Sequence, residues 1–228
     1  MEKSIAESIF DSVHRAYDRF LNLVTFNRIN SWQLEAINNT PIGKYVVDIG
    51  TGTGEILLKL YRLSKESNLI GIDLSLNMLK TAKMKLENHG VKKFLLLKAD
   101  ALNIPIKDNS VNNIFFSLVF RHLPANEILS ESKRVLVKDG YISIVEIAKP
   151  NSRLLYSFMI TFADKIFRPF GKIIFSKEEW DYFVESIKNS MTEGELLEFF
   201  SKNGFKTYYY SKRFLGLIHV AVFKKEDI

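Results

Sequence analysis

The sequence predicts an α/β fold: one doubly wound domain whose seven-stranded, mostly parallel sheet carries helices on both faces and ends on an antiparallel last strand. Three observations predict it. From residue 44 onward, short apolar runs alternate with amphipathic helical runs, the pattern of strands buried on both faces and joined by crossover helices. A glycine-rich turn separates the first such strand from the first such helix, as in sheets that bind ligands beyond the carboxyl ends of their strands. The 228 residues, 46% hydrophobic and 25% charged, suffice for one large domain with a sizeable core.

Each element has its own signal. Ile5, Ile9, Phe10 and Val13 recur at helical spacing, as do apolar residues from Ile29 to Ile37, so residues 1–40 form a helical cap ending before Pro41 and Gly43. The core, 44–150, opens with strand Tyr45–Ile49, the glycine turn, and a helix presenting Ile56, Leu57 and Leu60. Asn68–Asp73 is the second strand. Ser75 caps a helix that buries Met78, Leu79, Ala82 and Leu86 and stops at Gly90. Phe94–Ala99, Asn113–Ser117 and Tyr141–Ile147 are the third to fifth strands, the last two joined by a helix near Asn126–Leu136. An aromatic-rich helical insertion, 151–190, follows, with Ser176 and Glu179 as a capping box. Residues 191–228 close the chain. Thr192 and Glu195 open a helix that buries Leu196, Phe199 and Phe200 and stops at Gly204; strands near Phe205–Tyr210 and Leu215–Phe223 are expected to pair antiparallel at the sheet edge across a turn at Ser211-Lys-Arg213.

Composition removes several classes of function. With no cysteine, there are no disulfides, zinc thiolates or cysteine nucleophiles, and no metal is expected. The net charge of +6 comes without a dense basic block, so it reads as a lysine-rich solvated surface and no nucleic-acid partner is expected. The N-terminus carries acids and lacks an apolar signal segment, and no stretch reaches the roughly 20 apolar residues of a membrane span; a cytoplasmic chain is expected.

The chemistry is concentrated in Val47-Asp-Ile-Gly-Thr-Gly-Thr-Gly-Glu55. Gly50, Gly52 and Gly54 let the backbone turn and approach a ligand without Cβ obstruction, and the following helix aims free N–H groups at it. The spacing G-x-G-x-G is one residue shorter than a dinucleotide fingerprint, and no Gly-Lys-Ser/Thr follows to make a phosphate loop. Asp48, just before the turn, suits a cationic amino-acid ligand better than a pyrophosphate, although an acid satisfied by loop amides is the plainer alternative. Asp73, nineteen residues past Gly54, ends the second strand and can accept both hydroxyls of a ribose. Asp100-Ala101 ends the third, where a short acceptor, a backbone amide and apolar neighbours can meet an adenine. An amino-acid end, a ribose and an adenine in strand order describe S-adenosyl-L-methionine.

At this point the sequence resembles the ubiquinone/menaquinone biosynthesis C-methyltransferases, the UbiE/MenG type. The resemblance runs over nearly the whole chain: Ile9-Phe-Asp-Ser-Val-His-Arg-Ala-Tyr-Asp18, Trp32, Asp100-Ala-Leu-Asn-Ile-Pro-Ile-Lys-Asp-Asn109, Ser117-Leu-Val-Phe-Arg-His122, Val145-Glu-Ile-Ala-Lys-Pro150 and Tyr182-Phe-Val-Glu-Ser-Ile187. It implies a Rossmann-like class I methyltransferase with S-adenosyl-L-methionine as cofactor, held at Thr53, Asp73, Asp100, Ala101 and Ser117, and a prenylated quinol or phenol as acceptor. The chain departs from the family's pattern at His122, where asparagine is usual, at Asn112, where an acid is common, and around Leu215-Gly216, where His219 is out of register with the family's C-terminal histidine.

On that reading Arg121, always protonated, is cast as phenolate stabiliser; His122 as proton acceptor; and Tyr17 as a hydrogen-bond partner of the acceptor. The plain alternatives are an Arg121 paired with an acid, a satisfied buried His122 and a Tyr17 that only packs. The insertion reads as a lid whose Phe158, Phe162, Phe167 and Phe170 line a path for a prenyl tail, or as core aromatics. Peripheral membrane contact and a homodimer are the further partners expected. A methyltransferase for another small or lipid acceptor, a non-catalytic S-adenosylmethionine-binding protein and a nucleic-acid methyltransferase are the competing readings; the last lacks the Asn/Asp-Pro-Pro-Tyr/Phe motif used on flipped bases.

Overall fold

The computed structural model describes residues 17–162, 165 and 177–226. The expected helix at Ile5–Val13, the cap at Ser176, and Phe167 and Phe170 lie outside them.

Seven strands form one sheet in the order β3-β2-β1-β4-β5-β7-β6. Their ranges are β1 Tyr45–Ile49, β2 Asn68–Asp73, β3 Phe94–Lys98, β4 Val111–Ser117, β5 Leu136–Ile147, β6 Phe205–Arg213 and β7 Ile218–Lys225. The first five are parallel; β7 runs antiparallel between β5 and β6. Strand order reverses at β1, which pairs with both β2 and β4. That switch opens the carboxyl edge of the sheet to a ligand.

The described helices are α1 Tyr17–Val24, α2 Ile29–Asn38, α3 Glu55–Leu63, α4 Leu76–Asn88, α5 Ala125–Val135, α6 Arg153–Phe162, α7 Lys177–Lys188 and α8 Glu193–Lys202. Period-2 alternation divides the strand side chains between two layers. Val47, Ile49, Ile114, Phe116, Ile142 and Ile144 pack with Ile128 and Leu129 of α5 and Leu196 and Phe200 of α8. Val46 and Phe115 face the other way, toward Ile37 of α2, Ile56, Leu57 and Leu60 of α3, and Leu86 of α4. Phe200 of α8 stacks on Phe223 of β7 at a centroid distance of 3.9 Å. The Ser75 cap accepts a hydrogen bond from Met78 N, and Thr192 and Glu195 form the expected capping box.

Most boundaries fall within two residues of the sequence reading, and two differ by more. β5 begins five residues earlier than Tyr141, because Leu136 pairs with Val111 and the strand kinks through a left-handed Asp139 at φ 58°; Lys138-Asp-Gly140 reads locally as a turn but lies inside a ladder. The β6–β7 turn is not at Ser211-Lys-Arg213. Those residues pair with Val220, His219 and Ile218, and the chain reverses over Phe214, Leu215 and Gly216, all at positive φ. Because β6 runs antiparallel to β7, this turn emerges at the same edge as the carboxyl ends of β1–β5.

Among the described residues no helix is long and apolar enough to cross a membrane. The insertion contributes α6 and α7. Trp180, Ser186 and Ile187 of α7 are buried, whereas Leu154 and Phe158 of α6 are exposed, at 85% and 61%. Of the two readings of the insertion's aromatics, Phe158 is therefore not a core residue.

Candidate active site

The donor half of the site is built from the ends of β1, β2, β3 and β4. Gly50, Gly52 and Gly54 have φ of 64°, 53° and 82°, the left-handed region that glycine enters without Cβ strain. A Cβ on Gly50 would also lie 2.6 Å from Val119, so that position is closed by packing as well as by φ. At Gly52 the nearest atom to such a Cβ is 3.9 Å away; this side of the turn faces open space, the cradle a ligand needs.

Carboxylates pin the turn. Thr51 Oγ1 donates to Asp48 Oδ2 at 2.7 Å, and Gly52 N donates to Asp73 Oδ2 at 2.8 Å. Ser75 N donates to Asp73 Oδ1 at 2.9 Å. Asp73 thus holds the turn from the end of β2, at the position expected to meet a ribose. Asp48 is buried on the inner side. Burial pushes its carboxyl up to about 7, against the lowering effect of the Thr51 hydrogen bond, with nearby Asp73 adding to the rise and Lys59 opposing it. The partner that Asp48 has in the loop is a side-chain hydroxyl, that of Thr51.

Thr53 is buried, and its hydroxyl accepts from Lys85 Nζ at 3.0 Å. Lys85 also reaches Glu55 at 2.7 Å, as does Lys59. Burial alone would raise the Glu55 carboxyl, but the two lysines bring it down to about 2. This network fastens the first turn of α3 to α4, and nothing in the glycine pattern announced it. Asp100 and Ala101 follow β3; Asp100 Oδ1 accepts from Leu102 N at 3.1 Å, and Ala101 is buried against the core. Ser117 ends β4 and its Oγ accepts from Gln33 Nε2 at 2.8 Å. Gln33 also went unread: it is a polar residue on a helix classed by its apolar face, and its Oε1 is buried without a partner.

The residues expected to serve a methyl acceptor lie at the ends of β4, β5 and β7. Leu118 leaves β4 at φ 59°, a strained conformation for a branched side chain that clusters at functional sites. It starts the 3-10 turn Phe120–His122. Arg121 NH1 meets Glu146 at 2.6 Å, with the two side chains 4% and 6% exposed. The same guanidinium donates to Leu118 O at 2.8 Å and, through Nε, to Ser186 Oγ at 3.2 Å. Arg121 thus ties β4, β5 and α7 together, the acid-paired alternative weighed above. His122 is half-buried; burial first, and the adjoining Arg121 charge second, hold its imidazole well below the ordinary histidine range. The backbone of Tyr17 opens α1, but its side chain lies outside the described residues.

A cavity of about 370 Å³ opens here, with Phe120, His122, Ser190, Met191, Leu196 and His219 among its walls. His219 Nε2 lies 2.9 Å from Met191 O and Nδ1 2.9 Å from Tyr210 Oη. A carbonyl can only accept, so Nε2 carries the proton and Nδ1 accepts from the tyrosine. Both ring nitrogens serve the fold.

Comparison with known proteins agrees with this geometry. The sequence model of the ubiE/COQ5 methyltransferase family matches residues 1–225. The chain belongs to that family. It is an S-adenosyl-L-methionine-dependent methyltransferase. A demethylmenaquinone methyltransferase of Lactobacillus johnsonii is 27% identical over 98% of this chain and 94% of its own length. A ubiquinone/menaquinone biosynthesis C-methyltransferase of Rickettsia bellii is 28% identical over 96% and 92%. Among solved structures, an S-adenosylmethionine-dependent methyltransferase of Aquifex aeolicus shares the fold at TM-score 0.62 and 21% identity, covering 86% of this chain and 91% of that one. Geranyl diphosphate C-methyltransferase of Streptomyces coelicolor, solved with S-adenosyl-L-homocysteine, shares it at TM-score 0.65 and 12% identity, over 87% and 79%. In this member of the family the open glycine cradle at Gly52, with the Asp73 carboxylate held against it at the end of β2, fits the cofactor.

Proposed function

We propose that this chain methylates a ring carbon of a prenylated quinol, a C-methylation step in the making of a menaquinone- or ubiquinone-like molecule. The observation that carries the reading is the meeting of two unlike half-sites on one sheet edge: a glycine-and-carboxylate cradle, and beside it a part-apolar cavity with a neutral histidine in its wall. The whole-chain match to demethylmenaquinone and ubiquinone/menaquinone methyltransferases supports it.

The chain's own residues divide the work as follows. Gly50, Gly52, Thr53 and Gly54 seat the methionine end of the cofactor, Asp48 holds their loop, and Asp73 takes the ribose hydroxyls. Asp100 and Ala101 meet the adenine, and Ser117 the amino-acid end. Bound there, the cofactor supplies an electrophilic methyl group on a sulfonium. His122, kept neutral by its surroundings, accepts the phenolic proton, which makes the ring carbon nucleophilic. To that carbon the bound cofactor would supply its methyl group, the sulfur keeping the electron pair of the broken bond. Loss of the ring proton to solvent restores aromaticity. Arg121, beside His122, sets a positive field for the phenolate while bracing the loop. Tyr17 hydrogen-bonds the acceptor from the cap.

A prenylated acceptor resides in a bilayer, and the same edge carries exposed apolar tips: Leu215 at 89%, Phe26 and Leu154, with Arg28 and Arg153 close by in sequence. Ala148 N donates to Leu217 O at 2.8 Å, so the β6–β7 turn and the start of the insertion are neighbours. This edge rests on the membrane surface during turnover.

The test is incubation of the purified protein with methyl-labelled cofactor and demethylated menaquinol in anionic vesicles. Label on a ring carbon of the quinol is expected. Transfer to some other lipid or phenol, or none by protein that binds S-adenosyl-L-homocysteine, would overturn the reading.

A further inference from the structure

The cavity beside His122 has a second polar wall that no step so far uses. Ser190 lies in the link between α7 and α8, 5% exposed, and its Oγ is buried with no hydrogen-bond partner. It lines the cavity. An orphan hydroxyl in an apolar setting is costly, because it gives up water and gains nothing in return. A site that hydrogen-bonds a ligand oxygen is one setting in which such a group is kept.

Two neighbouring polar groups are already engaged. His219 is held at both ring nitrogens, by Met191 O and Tyr210 Oη. Glu146 is closed against Arg121 at 2.6 Å and accepts from Ile147 N at 2.7 Å. The link itself is fixed from outside: Met191 O accepts from Lys149 N at 2.9 Å as well as from His219. Ser190 therefore sits on a rigid wall, and one χ1 rotation swings its hydroxyl among staggered positions. Phe120, Met191 and Leu196 give the cavity apolar walls, and Asn189 lines it beside Ser190. His122 and Ser190, on separate elements of a cavity that also has apolar walls, suit the two oxygens of a flat ring, and the volume lies in the range of small-ligand sites.

We infer that Ser190 is an acceptor-binding residue: the ring of an oxygen-bearing bicyclic acceptor occupies this cavity, one ring oxygen toward His122 and the other hydrogen-bonded by the Ser190 hydroxyl. The inference rests on the quinol reading, and its test is separable from the test of that reading. A ring with no second oxygen leaves Ser190 orphaned and binds more weakly, so the residue selects quinols over simple phenols.

The experiment compares wild type, Ser190→Ala and Ser190→Phe, using 1,4-naphthoquinone as probe in the presence of S-adenosyl-L-homocysteine and quenching of tryptophan fluorescence as readout. Wild type binds the probe. Ser190→Ala binds it about 5- to 20-fold more weakly, and Ser190→Phe, which fills the cavity, does not bind it. Affinity for S-adenosyl-L-homocysteine stays within about twofold in all three, which also shows that the variants fold. Removing the orphan hydroxyl raises the Tm of ligand-free Ser190→Ala by about 3 °C, a gain of stability coupled to a loss of affinity that a merely structural serine would not give. Wild-type affinity for the probe in Ser190→Ala or in Ser190→Phe, or no binding by wild type, overturns the inference. Turnover of demethylated menaquinol by wild type is read separately: its absence alongside Ser190-dependent binding counts against the quinol methylation reading and leaves the cavity assignment standing.

Discussion

The Arg121–Glu146 pair is the joint on which the acceptor half of the site hangs, and removing either partner should show it. Both side chains are almost fully buried, 4% and 6% exposed, and meet at 2.6 Å. Breaking such a pair on one side leaves a buried charge and costs about 3–5 kcal/mol. In a chain of this size each kcal/mol moves Tm by about 2–4 °C, so single variants should melt roughly 6–20 °C lower. Arg121→Met should fall at the milder end, since Glu146 is still met by Arg121 N at 3.2 Å and Ile147 N at 2.7 Å. Glu146→Gln leaves the guanidinium facing the Leu118 carbonyl and the Ser186 hydroxyl, neither of which carries charge, and should fall further. The double variant Arg121→Met/Glu146→Gln removes both charges and should lose clearly less than the sum of the singles. Circular-dichroism melts of the four proteins supply the cycle, with S-adenosyl-L-homocysteine titrations at 20 °C to show that the donor half survives. Single variants melting within about 2 °C of wild type, or a strictly additive double, would refute the structural role. An Arg121→Met protein of unchanged Tm and no turnover would make Arg121 a stabiliser of the phenolate and nothing more.

Two predictions concern the donor half. Asp73→Asn sets an amide N–H₂ against Gly52 N or Ser75 N, which both donate to Asp73 at 2.8 and 2.9 Å, and removes a charge-assisted ribose contact; calorimetry should find S-adenosyl-L-homocysteine bound about 10- to 100-fold more weakly, and affinity within threefold of wild type would count against the ribose role. Asp48, raised by burial from 3.8 to about 7, keeps its proton in the folded chain and loses it in the unfolded one between those two values, so its contribution to stability falls as pH rises through that window and levels off above it; Asp48→Asn, unable to ionise, should show a smaller drop in Tm between pH 5 and pH 8 than wild type, and an equal or larger drop would show that the carboxyl titrates elsewhere.

How far each feature could be read in advance follows from the range over which its cause acts. β1 and β2 run from Tyr45 to Ile49 and from Asn68 to Asp73 as the sequence reads them, because apolar runs bounded by lysine, glycine or acid are local punctuation. The Ser75 cap and the Thr192–Glu195 box are equally local. The first part of β5 was hidden: Lys138-Asp-Gly140 has the composition of a turn, and only the partner strand, through Leu136 on Val111, makes it strand. The β6–β7 turn was misplaced for a related reason, since Phe214 and Leu215 adopt positive φ without the asparagine or glycine that normally marks it. Side-chain partners at long range are the least readable. Gln33 finds Ser117 at 84 residues' distance and Arg121 finds Ser186 at 65. A residue-by-residue scan can name Arg121 and His122 as chemistry-bearing, but whether a guanidinium faces an acid or open space depends on which strand lies beside β4.

The same contrast bears on how the two halves of the edge can vary. The donor cradle consists mostly of backbone, with glycines at φ values that side chains resist and amides held by Asp73, so it tolerates few substitutions and accepts one ligand. The cavity wall includes side chains carried by a link between helices: Ser190, between α7 and α8, is held in place by Met191 O contacts to Lys149 and His219 that involve no Ser190 atom. A change at position 190 can therefore reshape the cavity while the link, the Arg121–Glu146 joint and the glycine turn stay where they are. On this fold, choice of methyl acceptor is free to move independently of cofactor binding. Arg121 is the exception, because it braces α7 through Ser186 and adjoins His122 at once, and a substitution there alters both sides of the cavity together.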